Sequence, residues 1–117
     1  MPHIEAVKPH PSAQCKRFET AMEVLAKPWT GLIIVSLEGG ALRFRELGDR
    51  VGAIGDRMLS LRLRDLEARG IVVRHVLPGP PVRVEYALTE TGRGFHDVAE
   101  AVQRWGDSLL KVRRAST

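Results

Sequence analysis

The stretch GDRMLSLRLRDLEARGIVVRHV, residues 55–76, sets leucines at helical spacing among arginines and then breaks at a glycine into β-branched residues. At 100° per residue, Leu59, Leu63 and Leu66 fall within about 60° of one another and form an inward face, with Gly70 as a C-terminal stop. Arg57, Ser60, Leu61 and Arg64 cluster about 180° away and point out of the domain, with Arg62 at the boundary. A merely solvated amphipathic helix also carries charge opposite its leucines. The neighbouring segments must decide what the arginines are for.

On the N-terminal side, GAIG at 52–55 is a tight connection from a preceding helix in which Phe44, Leu47 and Val51 give an i, i+3, i+7 stripe. A short strand at 41–43 leads into that helix. Before it, WTGLIIVSLEGG is apolar nearly all round and predicts a buried central helix, with Pro28 in its first turn and Gly39 and Gly40 ending it. Phe18, Met22 and Leu25 mark one face of a first helix over about 15–26. Residues 1–14, with three prolines and two histidines and no periodicity, read as a mobile tail ahead of a single domain spanning 15–117.

On the C-terminal side, β-branched runs at 71–77 and 82–88 flank PGPP and predict a hairpin, with Arg74, His75 and Arg83 on its arms. Thr89 is the expected N-cap of a long last helix reaching about residue 112. Phe95, Val98, Val102, Trp105, Leu109 and Val112 follow at spacings of 3, 4, 3, 4 and 3, a narrow heptad seam interrupted by Gly106. Such a seam suits another helix. Phe18, Met22, Phe95, Val98, Val102, Trp105 and Leu109 are therefore the expected homodimer interface.

Charge supports a functional reading of the central third. Nine arginines stand between positions 43 and 83 against five acids, a surplus that accounts for the whole net charge of +4. Arginine's planar, permanently charged fork suits phosphate and guanine edges. The order of elements is a buried helix, a short strand, two helices joined by a tight turn and a hairpin. It predicts a mainly α fold with a small β-hairpin wing, a winged helix-turn-helix with extra terminal helices for dimerisation. In that fold the second helix of the pair enters the major groove. Arg57 and Arg64 are then the candidates for guanine and Leu61 for a thymine methyl, while Ser60, Arg62, Arg43 and Arg45 hold phosphates. Arg74 and Arg83 flank the duplex from the wing.

The residues also resemble the HxlR-type transcriptional regulators of the wider MarR-like winged-helix group, from about Cys15 to Leu110. The likeness rests on Cys15, Trp29, RFREL at 43–47, MLSLRLRDLEARGIVVR at 58–74, PPVRVEYALTETG at 80–92 and Trp105-Gly106. The chain departs from the family pattern at Lys27-Pro28-Trp29, where Gly-Lys-Trp is usual, and at Gly55, where a serine cap is usual and Asp56 stands one residue later. The resemblance implies a homodimeric regulator, often a repressor, that binds a pseudo-palindromic operator in double-stranded DNA and answers to oxidants, electrophiles or small molecules. Redox-sensing members use a cysteine at the place of Cys15.

Cys15, the one cysteine, excludes an internal disulfide but leaves a thiol or a bridge between chains. Lys16, Arg17 and the nearby helix start favour its thiolate; a small buried hydrophobe is the competing reading. A small-molecule effector would need a pocket, with Trp29, Phe95 and Trp105 as candidate lining. The four histidines and single cysteine lack ligand or catalytic spacing, so neither a metal, a cofactor nor an enzyme is expected. A winged-helix module that binds protein, or a ligand-responsive regulator with no redox role for Cys15, remains the alternative. No apolar run is long enough for a membrane span and MPHIEAVKPHPSAQ has no signal core, so a cytoplasmic location is expected.

Overall fold

The computed structural model describes residues 13–116. Its elements, in order, are α1 (Ala13–Leu25), α2 (Thr30–Ser36), β1 (Leu42–Arg43), α3 (Phe44–Val51), α4 (Asp56–Ala68), β2 (Val72–Leu77), β3 (Arg83–Leu88), α5 (Glu90–Arg93) and α6 (Phe95–Ser116). The three strands form one antiparallel sheet in the order β1-β3-β2. This is the expected winged helix-turn-helix, with α3 and α4 as the helical pair and β2–β3 as the wing.

The core follows the predicted stripes. Leu59, Leu63 and Leu66 of α4 are buried with Ile33 and Ile34 of α2, Leu37, Leu47 of α3, Val72 of β2 and Leu88 of β3. Phe44 and Val51 complete the α3 stripe as half-buried partners of that cluster. Gly70, at φ 75°, ends α4 in a left-handed turn in which Ile71 N–H donates to Leu66 C=O at 2.9 Å and Gly70 N–H to Glu67 C=O at 3.0 Å. A residue with a side chain would be strained there.

Three boundaries differ from the sequence reading. Of the expected tail, residues 1–12 lie outside the described residues, whereas Ala13 and Gln14 already form the first turn of α1. The second helix starts at Thr30, not at Pro28. Thr30 N–H closes a turn onto Lys27 C=O at 3.3 Å, and Trp29, at φ 74°, becomes the N-cap whose C=O receives Ile33 N–H at 3.0 Å. The last helix is two: Gly94 N–H is shared between Glu90 C=O and Thr91 C=O, both at 3.2 Å, and α6 begins afresh at Phe95.

The LTETG segment locks these parts together. Thr89 Oγ1 caps α5 by accepting from Gly92 N–H at 3.1 Å, and donates to Gly70 C=O at 2.6 Å. Gly92 sits so close to the α4–β2 junction that an added Cβ would stand 2.2 Å from Ile71 O. Only glycine fits. Further along, His96 at the start of α6 meets Glu38 at 3.2 Å and Glu100 at 3.3 Å. The Glu38 hydrogen bond, then the charges of Glu100 and Glu38, raise its pKa above the usual imidazole value.

Gly92→Ala should lower the unfolding free energy in urea by about 1–3 kcal/mol, because the clash is with backbone that cannot step aside. Gly39→Ala, at a site with nothing within 4 Å, should cost less than about 0.5 kcal/mol. Equal losses at the two glycines would refute the close approach.

Candidate nucleic-acid interface

The inward leucines of α4 fix what faces out. Arg57, Leu61 and Arg64 are exposed on the opposite side, Leu61 at 50%. Ser60 is half-buried between them and accepts a hydrogen bond from Arg64 Nη2 at 3.3 Å. Leu61 therefore stands half in water between two guanidinium groups.

Arg62 behaves differently from the expected phosphate arm. It is half-buried, and its Nε donates to Pro28 C=O at 2.9 Å, tying α4 to the turn before α2. The boundary position read from the helical wheel thus becomes a strut inside the domain. Arg69 is also structural: it meets Asp65 at 3.1 Å and Glu23 of α1 at 3.8 Å, while Lys27 reaches the same Asp65 at 3.4 Å. Partial burial pushes the Asp65 carboxyl up, but Arg69 and Lys27 outweigh it and hold its pKa below the ordinary value.

At the start of α3, Arg43 and Arg45 are exposed, and Glu46 accepts the Arg43 backbone N–H at 2.8 Å. That bond satisfies one donor of the helix start and leaves the Arg43 side chain to solvent. Sheet register separates the wing residues expected to act together. Arg74 pairs with Tyr86 on the face that carries Val72 and Leu88, whereas Arg83, His75, Glu85 and Arg43 share the other. Arg74 and Arg83 are both exposed, but they present charge in opposite directions. None of Arg43, Arg45, Arg57, Arg62, Arg64, Arg74 and Arg83 enters an ion pair among the described residues.

The terminal helices present the other anomalous surface. α1 has no buried residue, and Cys15, Phe18 and Met22, at helical spacing, are all exposed. On α6, Val98, Val102, Trp105, Leu109 and Val112 are 44–66% exposed. Phe95, expected in the same seam, is instead half-buried against the core of its own chain, because the break at Gly94 starts α6 directly over α2. Trp29 and Phe95 do line one cleft, of about 390 Å³, with Gly31, Leu32, Val35 and Val102. Trp105, the third expected member, lies farther along α6 and does not reach it. His96, Asp97 and Glu100 are the one group of metal-type donors within 4.8 Å of one another among the described residues, all exposed. None of the described helices is long and apolar enough to cross a membrane.

Residues 24–114 match the model of the HxlR-like helix-turn-helix family. The HTH-type transcriptional regulator YodB of Bacillus subtilis is 42% identical over 100 residues, covering 86% of this chain and 89% of YodB. YvaP of the same organism, also an HTH-type transcriptional regulator, is 39% identical over 99 residues, 85% of this chain and 92% of YvaP. The reduced form of YodB superposes with a TM-score of 0.74 over 80% of this chain and 91% of YodB, at 43% identity. YodB has also been solved diamide-treated and quinone-bound. The redox regulator HypR in its reduced form gives a TM-score of 0.76 at 36% identity, over 85% of this chain and 98% of HypR.

The depressed Asp65 carboxyl makes a pH prediction. Its ion pairs stabilise the fold above the unfolded carboxyl's ordinary value of 3.8 and are lost as pH falls through the lower folded value. Asp65→Asn should therefore be less stable than wild type by up to about 1 kcal/mol from about pH 5 upward. Urea unfolding curves of the two should converge in acid; a gap that widened there would contradict the assignment.

Proposed function

The chain belongs to the HxlR-like helix-turn-helix family of transcriptional regulators, and from that premise we propose that it acts as a homodimeric, operator-binding repressor. The observation that carries this reading is the outer face of α4, where Arg57 and Arg64 flank exposed Leu61 with no acidic partner of their own. Guanidinium groups without an acidic partner keep their charge available for phosphate, and a bidentate contact to guanine contributes about 1–3 kcal/mol of discrimination. Leu61 reads a thymine methyl, Arg43 and Arg45 hold phosphates, and Arg83 or Arg74 follows the backbone from the wing. The family is one of regulators, not of enzymes.

Dimerisation is supported by what α1 and α6 leave uncovered. A 13-residue helix with no buried side chain is marginal alone in water. Two copies would cover Phe18 and Met22 with Val98, Val102, Trp105 and Leu109, and would set the two α4 helices on successive major grooves, about 34–36 Å apart, over a pseudo-palindromic site. Cys15 shares the α1 face with Phe18 and Met22, so oxidation or adduct formation there would change the packing of the pair and hence the separation of the readers. YodB's diamide-treated form and the oxidised and reduced forms of HypR support an oxidant or electrophile as the signal.

Operator affinity measured across a salt series separates the contacts. Loss of a phosphate contact should flatten the log–log salt slope by about one unit, whereas Arg57→Ala or Arg64→Ala should chiefly relax sequence preference and weaken the chosen site about 5–150-fold. Two variants that bind like wild type would remove α4 as the reader, and failure of the wild type to hold duplex DNA at low salt would favour a protein-binding module. For the switch, diamide should release DNA from wild type and leave Cys15→Ser bound; release from both would free Cys15 of the role.

A further inference from the structure

Along one outer ridge of α4, Arg57, Ser60, Arg64 and Glu67 follow at helical spacing. Arg64 therefore has two neighbours within reach, the Ser60 hydroxyl one turn towards the N-terminus and the Glu67 carboxylate one turn towards the C-terminus. A carboxylate is the stronger acceptor for a guanidinium. Arg64 nonetheless bonds the hydroxyl: its Nη2 donates to Ser60 Oγ at 3.3 Å, and Glu67 enters none of the ion pairs among the described residues. Two features of a helix account for the choice. Long side chains lean towards the N-terminus, so Ser60 lies on the course Arg64 already takes, and an acid that follows its base is the poorer order for an ion pair.

The bond draws the Arg64 fork back by four residues, about 6 Å along the helix axis. That is the direction of Arg57 and Leu61. A recognition helix meets base edges chiefly with its N-terminal residues, and Arg64 stands in the third turn of α4. Held by Ser60, its fork is brought towards the reading end. The tether takes one of the five guanidinium N–H donors, so a bidentate pair remains for guanine O6 and N7. Ser60 itself is half-buried between two long exposed arginines. Its short hydroxyl is badly placed to reach a phosphate ahead of them.

We infer that Ser60 is a positioning residue for Arg64, one that sets sequence preference by aiming the fork at a base pair beside those met by Arg57 and Leu61. This rests on α4 being the DNA reader. It replaces the phosphate contact expected for Ser60 from sequence, and the two roles have different consequences. A phosphate contact adds affinity on every duplex alike, because it carries no base information. A fork ordered before DNA arrives adds affinity only where a guanine stands in its path, and the contact then has less side-chain entropy to spend. Without the hydroxyl, Arg64 is free to swing towards Glu67 and the flanking backbone.

The tether is read first without DNA, on the Nε–H signal of Arg64 in isotope-labelled full-length protein, assigned with Arg64→Lys. The wild-type Arg64 side chain should relax as more ordered than that of Arg57. Ser60→Ala should bring it to the Arg57 level, and Ser60→Thr, which keeps the hydroxyl, should preserve the order. Alanine is the better helix former, so a loss of order in Ser60→Ala does not come from a weakened helix. An Arg64 side chain equally mobile in wild type and Ser60→Ala would overturn the tether.

Its consequence is read on a duplex that the wild type selects from a random pool. Ser60→Ala should weaken that complex about 3–10-fold and binding to an unrelated duplex less than about two-fold. The lost preference should fall at the base pair that Arg64→Ala ceases to read, and in the Arg64→Ala background Ser60→Ala should add less than about two-fold. Ser60→Thr should stay within about two-fold of wild type. Equal weakening on both duplexes, or an undiminished loss in the Arg64→Ala background, would return Ser60 to a phosphate and overturn the inference. If the wild type selects no duplex, the DNA-reading function fails and the preference with it, while side-chain order still decides whether Ser60 holds Arg64.

Discussion

The burial of Leu59, Leu63 and Leu66 against Ile33, Ile34, Leu47 and Leu88 is the contact on which the rest of the molecule depends. Three side chains on one stripe of a 3.6-residue helix fix its rotation about its own axis. Once that rotation is fixed, Arg57, Leu61 and Arg64 have no direction but outward. Each buried leucine is worth roughly 1.5–3 kcal/mol, far more than a solvent-exposed ion pair. The protein can therefore hold several uncompensated guanidinium groups on the other side of the same helix without losing its fold.

The second constraint lies where α4 ends. Schellman closure at Gly70, the Thr89 hydroxyl on Gly70 C=O and the contact of Gly92 with Ile71 join the recognition helix, the first wing strand and the root of α6 in a few residues. The helix that bears the outward arginines and the helix that bears exposed apolar surface thus meet within a few residues. The Glu23–Arg69–Asp65–Lys27 chain of ion pairs runs along the same side of α4 and ties it to α1 as well.

Exposure is unevenly spent in this chain. Core positions are covered almost completely, Ile33, Leu47 and Leu66 to 0% exposure, while Phe18 and Trp105 remain two-thirds in water. A domain able to bury its leucines so well does not leave aromatic residues out for want of room. They stand on the outer faces of α1 and α6, the surface that the proposed dimer would cover.

Local pattern was enough for the winged helix-turn-helix itself. The α3 and α4 stripes, the Gly70 stop, the Thr89 cap and the two strands are all readable because each is set by neighbours within a few residues. The same periodicity placed Arg57, Ser60, Leu61 and Arg64 on one face. Tertiary packing decided what local pattern leaves open. Arg62 became a strut because a carbonyl 34 positions away came within reach, and Phe95 joined the core because a break at Gly94 aimed α6 across α2. Arg69 spent its charge on two acids, and Arg74 and Arg83 parted because strand register, not proximity in sequence, assigns a side chain to a face. Helical and strand periods are properties of the backbone and can be read from one chain segment; the partner of a side chain at the edge of such a stripe depends on where other segments end up, and that is written only in the folded whole.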